Sequence, residues 1–257
     1  MALGAREDSV SICGVAFDLG WTLVDFGYDV SVAEVQRARD LGGFLLSCGF
    51  DLDGAIVYAS YREELRALTQ AGAALHYEYP ARLAMLRALR RHMSRANAAR
   101  LVGDAVEVSF ESLVTGWRLY PDTLDTLAAL RDAGVRIGCI SNASDGASIW
   151  RIIDRCALRP WLSPIYISVE VGLRKPHPRM FEMALEQWEV SPEQAVMVGD
   201  ILDTDVLGAQ KAGMRGVWVD RGPVNPWIDN EQSRTYIVPD ATIRRLAELP
   251  DLLASWR

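Results

Sequence analysis

The stretch Val15-Ala16-Phe17-Asp18-Leu19-Gly20-Trp21-Thr22-Leu23 decides how this chain is read. An apolar run from Val10 to Phe17 has the character of a buried strand, and Gly20 breaks it just after a lone carboxylate, Asp18. The carboxyl end of such a strand is where open α/β sheets hold their ligands. An Asp-x-Gly at a strand end is also an ordinary turn, so the choice rests on what else the chain provides.

Three more stretches have a related form. Ile137-Gly138-Cys139-Ile140-Ser141-Asn142 is an apolar strand ending in a hydroxyl. Arg174-Lys175-Pro176-His177-Pro178 places a lysine just ahead of a helix that begins at a proline. Val196-Met197-Val198-Gly199-Asp200-Ile201-Leu202-Asp203-Thr204-Asp205 is a strand that runs into an acidic loop. In this order the four stretches resemble the motifs of the haloacid dehalogenase-like hydrolase superfamily, in its phosphatase branch, across residues 10–222.

The pattern between the motifs fits a doubly wound, mostly parallel α/β sheet with an inserted all-helical cap. Residues 26–116 show no strand rhythm and read as four helices. The first follows the capping-box spacing Ser31-Val32-Ala33-Glu34 and carries Val35, Ala38 and Leu41. The second starts at Asp53 with Ile56, Leu65 and Leu68. The third carries Leu83, Leu86 and Leu89, and the fourth follows Ser94 with Leu101, Ala105, Val108 and Leu113. Residues 10–25 and 117–257 form the core domain, where helix and strand alternate. There a helix over 122–133 turns Leu124, Leu127 and Leu130 inward, strands follow at 135–140, 165–169, 195–198 and 216–219, and a helix spans 204–212. An edge strand near Tyr236–Val238 and a helix from Asp240 to Trp256 close the chain, and residues 1–9 read as a loose terminus.

Composition narrows the function. Half of the 257 residues are hydrophobic, enough for one large core and a smaller one. The formal charge of −7 argues against nucleic acid as a partner. The scattered cysteines, Cys13, Cys48, Cys139 and Cys156, read as reduced thiols of a cytoplasmic protein. No apolar run approaches the roughly 18 residues of a membrane span. Composition does not set an oligomeric state. Among 27 basic side chains lysine occurs only at Lys175 and Lys211, so a point charge rather than a planar fork is singled out at Lys175.

The resemblance implies an Mg²⁺-dependent phosphohydrolase acting on a small phosphorylated metabolite through an aspartyl-phosphate. In it Asp18 is the nucleophile, and Ser141 and Asn142 bind the phosphoryl oxygens. Lys175 neutralises the phosphoryl group and orients Asp18. Asp18, Asp200 and the Gly20 carbonyl hold Mg²⁺, with Asp205 and Thr22 in support and Asp203 a possible outer acid. The chain departs from the family at Gly20, where a second Asp acts as general acid and base, and at Trp21, where glycine is common. The alternative reading is therefore a catalytically weak or inactive phosphate- or metal-binding module. The acidic loop speaks against a haloacid dehalogenase, which lacks it, and a cap without lysine against the phosphonate-cleaving branch. Trp21, Tyr28 and His76-Tyr77-Glu78-Tyr79 are candidates for the leaving-group pocket, with the last segment or Asp25 a possible replacement acid. Arg82, Arg87, Arg90, Arg91, Arg95 and Arg100 read as a solvated helix face.

Overall fold

The computed structural model describes residues 11–27, 29–222, 225 and 230–256. In chain order the strands are β1 (Gly14–Phe17), β2 (Val24–Phe26), β3 (Trp117–Leu119), β4 (Arg136–Ser141), β5 (Ile165–Ile167), β6 (Ala195–Gly199), β7 (Arg215–Val219) and β8 (Ala241–Ile243). The helices are α1 (Val30–Ser47), α2 (Gly54–Leu75), α3 (Ala81–Leu89), α4 (Arg95–Gly116), α5 (Thr123–Asp132), α6 (Gly146–Arg155), α7 (Ser168–Val171), α8 (Arg179–Trp188), α9 (Leu207–Lys211) and α10 (Leu249–Ser255).

β1 is apolar and buried along its whole length because it lies inside a six-stranded sheet ordered β5-β4-β1-β6-β7-β8. All of its pairings are parallel. Successive side chains of β1 go to opposite layers, as the pleat requires. Val15 and Phe17 share a cluster with Leu127 and Leu130 of α5, Ile152 and Ile153 of α6 and Leu253 of α10. Ala16 belongs to the other, with Met180, Phe181 and Trp188 of α8 and Ala209 of α9. A Cβ on Gly14 or Gly138 would come 2.8 Å from the Trp188 ring, so glycine is what lets α8 approach both strands. The order of connection reverses at β1, and this doubly wound topology leaves a crevice at the carboxyl ends of β1, β4 and β6.

Helices α1 to α4 surround a separate apolar cluster that includes Leu41, Leu45, Tyr61, Met85, Leu89 and Leu101. Asp29, Asp53 and Ser94 cap three of them by accepting from the N–H groups of Ser31, Ala55 and Asn97. The chain leaves and re-enters the sheet region side by side, because β2 and β3 pair antiparallel with Phe26 opposite Trp117. No described helix is long and apolar enough to cross a membrane.

Several expected features shift. Asp29, not Ser31, caps α1. Val35, Ile56 and Leu124 are exposed rather than inward. The buried stripes run instead through Arg37, Leu41 and Leu45, through Val57, Tyr58 and Tyr61, and through Leu127 and Leu130. The strand at 165–169 stops at Ile167, where Ser168 begins α7. The helix over 204–212 opens as a π-helical turn at Leu202–Val206. The edge strand is Ala241–Ile243, while Tyr236 and Val238 are exposed, and the last helix shortens to Leu249–Ser255. Residues 1–10, with the start of the apolar run, and Tyr28 lie outside the described residues.

Leu89 is fully buried at the end of α3. Leu89→Ala is expected to cost about 2–5 kcal/mol of stability, read as a fall in the urea midpoint, through lost burial and the cavity left among the helices.

Candidate active site

The carboxyl ends of three neighbouring strands bring the four sequence stretches together. Phe17 is in register with Cys139 of β4 and Val198 of β6, so Asp18, Ser141 and Asp200 follow within two residues of one level. The Asp18 N–H donates to the Val198 carbonyl (2.9 Å), continuing the ladder by one step and fixing where the carboxylate emerges. Asp18, Ser141, Lys175 and Asp200 are all buried and line a cavity of about 310 Å³. Gly20, Trp21 and Asn142 also line it.

Lys175 is the centre of the charge arrangement. Its ammonium donates to Asp18 Oδ1 and lies against Asp205 Oδ1, at 2.7 Å in each case, with the lysine 2 % exposed and Asp205 fully buried. Asn142 holds the lysine's backbone from both sides. Its Nδ2 donates to the Lys175 carbonyl (3.0 Å), and its Oδ1 accepts from the Lys175 N–H (2.8 Å). The Asn142 side chain is thereby spent on positioning. Asp205 is fixed in turn, its Oδ2 accepting from the Ile201 N–H (3.0 Å). A Cβ on Gly199 would sit 2.2 Å from that oxygen, so glycine at the end of β6 makes room for the carboxylate.

Burial pushes the Asp18 carboxyl up to about 6, against the opposing charge of Lys175. Asp200 is likewise raised by burial and by the negative charges of Asp18 and Asp205. Burial alone would lower the Lys175 ammonium, but Asp18 and Asp205 outweigh it and raise the group. Lys175 is therefore charged at any neutral pH.

The donor set suits a hard divalent cation. Carboxylate oxygens of Asp18, Asp200 and Asp205 lie within 4.8 Å of one another. Asp205 already serves Lys175 and Ile201, whereas Asp200 Oδ1 is buried with no hydrogen-bond partner among the described residues. Three buried carboxylates face one ammonium, and an orphaned carboxylate oxygen among them is where such an ion would gain most. Asp18 and Asp200 are the residues placed to hold it, beside the Gly20 backbone.

Other expected residues are placed differently. Thr22 is fully buried but does not line the cavity; its carbonyl accepts from Arg221 (3.3 Å). Asp203 faces away, accepting from Ser233 Oγ and from Tyr236 Oη (2.7 Å). Asp25 pairs with Arg118 (3.2 Å), and neither it nor residues 76–79 line the Asp18 cavity. Arg82, Arg87, Arg90, Arg91, Arg95 and Arg100 are exposed, with Arg91 paired to Glu63 and Glu64 as a solvated face would be.

Three contributors were not singled out from sequence. Asn225 donates to Asp200 Oδ2 (2.9 Å) from a stretch with no periodic pattern. Trp117 lines the cavity from β3, its ring 4.7 Å from that of Trp21. Arg174 lines it beside Lys175, and its signal was its place inside the lysine motif.

A family model described as haloacid dehalogenase-like hydrolase matches residues 14–213. A glyceraldehyde 3-phosphate phosphatase of Methanopyrus kandleri is 34 % identical over 60 % of this chain, a match spanning 64 % of that relative. A glyceraldehyde 3-phosphate phosphatase of Pyrococcus furiosus is 30 % identical over 93 % of this chain and 90 % of its own length. A 2-haloacid dehalogenase structure from Pseudomonas syringae pv. Tomato DC3000 superimposes with a TM-score of 0.70 at 25 % identity, covering 96 % of this chain and all of that one.

Asp18→Asn is expected to raise the melting temperature of cation-free protein at about pH 8. Because the folded carboxyl titrates at about 6 rather than 3.8, the wild type loses stability as pH rises through that window. The asparagine variant lacks this loss, and its advantage should vanish near pH 4. Thermal melts with chelator at the two pH values measure it.

Proposed function

The chain belongs to the haloacid dehalogenase-like hydrolases, and from that membership we propose that it hydrolyses phosphomonoesters of small metabolites with Asp18 as nucleophile and Mg²⁺ as its cation. The observation that carries the reading is the Lys175 ammonium held between Asp18 and Asp205, beside an Asp200 oxygen that lacks a partner. A phosphoryl dianion cannot approach a carboxylate unless positive charge is fixed beside both. Lys175 supplies part of that charge and holds Asp18 in one orientation. Bound Mg²⁺ would supply the rest by withdrawing charge from the phosphoryl oxygens.

The residues then divide the work. An Asp18 oxygen attacks phosphorus in line, the bond to the leaving oxygen breaks, and the phosphoryl group rests on Asp18 until water displaces it. The Ser141 hydroxyl and the backbone N–H of Asn142 hold phosphoryl oxygens during transfer. Asp205 keeps Lys175 charged and in place. In this reading residues 26–116 act as the cap and residues 10–25 and 117–257 as the core, with the cavity walled by Val24 and Trp117 where the two meet. The phosphatases similar to this chain favour phosphate esters over carbon–halogen bonds as its substrate. The acidic loop at Asp200 to Asp205 favours the same choice.

Gly20 removes the usual general acid, and no other carboxyl group besides Asp18 and Asp200 is among the described residues lining the cavity. Leaving oxygens must therefore depart largely unprotonated. The second reading, a phosphate- or metal-binding module without turnover, draws on this same residue.

A panel of aryl, acyl and alkyl phosphates separates the two. Phosphate release is expected with Mg²⁺, is lost with chelator, and disappears in Asp18→Asn. Aryl and acyl phosphates should exceed primary alkyl phosphates by more than in relatives with the second Asp, since general acid catalysis is worth about 10²–10⁴-fold for poor leaving groups. No release from any member, with Mg²⁺ still raising the melting temperature, would establish the binding module instead.

Lys175→Arg should lower turnover by about 10²-fold, because a planar fork cannot replace a point charge shared by two carboxylates and a phosphoryl group. Lys211→Arg, at an exposed helix end, should leave activity unchanged. Equal responses at the two lysines contradict the role given to Lys175.

A further inference from the structure

Arg174 stands beside Lys175 in the cavity wall, and nothing in the chemistry above uses it. Among the described residues lining that cavity the cations are Lys175 and Arg174. Lys175 is committed to Asp18 and Asp205. The guanidinium of Arg174 is not committed in the same way. Its Nε is 3.6 Å from Glu78 Oε2, too far for a hydrogen bond, and its Nη1 is buried without a hydrogen-bond partner among the described residues. A guanidinium carries five N–H donors in a planar fork, so this one holds unused capacity beside the reacting centre.

Its backbone is held in place independently. Glu78 belongs to the connection between α2 and α3, which is stitched antiparallel onto residues 172–174. Tyr77 bridges Leu173, the Glu78 N–H donates to the Gly172 carbonyl (3.3 Å), and the Arg174 N–H donates to the His76 carbonyl (3.1 Å). The Glu78 carboxylate has its own anchor, since the Ser168 hydroxyl donates to Oε2 at 2.9 Å. Burial raises its carboxyl against the charge of Arg174 and the bond from Ser168. Glu78 thus neutralises Arg174 from a distance without saturating it.

We propose that Arg174 is a specificity-determining residue that binds a second anionic group, a carboxylate or a further phosphate, carried by the leaving-group side of the substrate. This rests on the phosphohydrolase reading above. The planar fork matches such groups in bidentate fashion. The rest of the leaving-group wall, formed by Trp21, Val24, Trp117, Ile149 and Ile152, offers apolar contact. A short hydrocarbon body with an anion at its far end fits that wall better than a polyhydroxylated one. When the anion arrives it takes the place that Glu78 fills loosely.

The test is calorimetric binding to the Asp18→Asn protein with Mg²⁺, using 3-phosphoglycerate against glycerol 3-phosphate and 1,3-propanediol bisphosphate against propyl phosphate. The member carrying the second anion should bind about 10–100-fold more tightly in at least one pair, and which pair does so distinguishes carboxylate from phosphate. Arg174→Gln in that background should abolish the preference while leaving binding of the singly phosphorylated references, glycerol 3-phosphate and propyl phosphate, nearly unchanged. Glu78→Gln, which keeps an acceptor for Ser168, should strengthen binding of the member with the second anion. Should Arg174→Gln fail to fold, Arg174→Lys, which keeps the charge but not the fork, should retain part of the preference. Absence of preference in both pairs, equal loss for ligands with and without the second anion, an unreduced preference in Arg174→Lys, or weaker binding in Glu78→Gln would each overturn the proposal. Phosphate release by wild type is read separately. A preserved binding preference together with no release from any member of the aryl, acyl and alkyl panel would sink the phosphohydrolase reading and leave this one standing.

Discussion

The ammonium of Lys175, set between the carboxylates of Asp18 and Asp205 at 2.7 Å from each, is the interaction on which the site depends. All three groups are buried, so removing the ammonium would leave two carboxylates without their shared countercharge in a medium that solvates them poorly. The pair Asp18 and Lys175 is separated by 157 positions in the chain. Their contact forms only if β1, β4 and β6 have already paired in register. Asp18 extends β1, Asn142 follows β4 and grips the backbone of Lys175, and Asp205 packs against a glycine that ends β6. Fold and chemistry are thus one constraint, with the parallel ladder as the device that brings remote carboxylates to one lysine.

That constraint leaves a surplus of negative charge. Asp18, Asp200 and Asp205 outnumber Lys175, and burial raises the carboxyls of Asp18 and Asp200 above their ordinary range. On the proposed reading, the residues whose surplus charge opposes burial in the cation-free protein are the same ones that would hold a divalent ion. Asn225 relieves part of this by donating to Asp200. It leaves the other oxygen of that carboxylate buried and without a partner among the described residues.

How much could be read from sequence follows from the same physics. β1, β4 and β6 are legible because a parallel strand covered on both faces reads as a continuous apolar run, and each runs into a polar side chain, Asp18 just after β1, Ser141 at the end of β4 and Asp200 just after β6. The rarity of lysine pointed to Lys175. The helices of residues 30–116 were legible in number, but not in orientation, because each packs on more than one neighbour and the apolar stripe is broad. Val35 and Ile56 fit the helical spacing and yet face outward, while Arg37 is buried among aromatic rings and donates to the Ser109 carbonyl (2.6 Å). Asn225 and Trp117 were not legible, since what recruits them is proximity in the fold and neither carries a local pattern. The tail was misplaced for a related reason. Tyr236 and Val238 have strand-like composition, but it is Ala241–Ile243 that pairs with β7.

The departure at Gly20 and the one at Trp21 have a common structural basis. A Cβ on Gly20 would approach the Trp117 ring to 3.1 Å, so a larger residue there requires that ring to move. Trp21 holds a left-handed backbone (φ 51°), which costs a bulky residue roughly 1–2 kcal/mol where glycine would pass freely. The compensation is visible in the rings: Trp21 meets Trp117 edge to face at 4.7 Å, and Trp117 meets Phe26 in the same manner at 5.2 Å. The strained tryptophan and the missing carboxylate therefore belong to one aromatic wall built across β2 and β3. On the proposed reading, in place of a proton donor at the leaving oxygen the site has shape and apolar surface. Discrimination between leaving groups then falls to how well they pack against Trp117 and to whatever the nearby guanidinium can hold, which shifts selectivity from acid strength to fit.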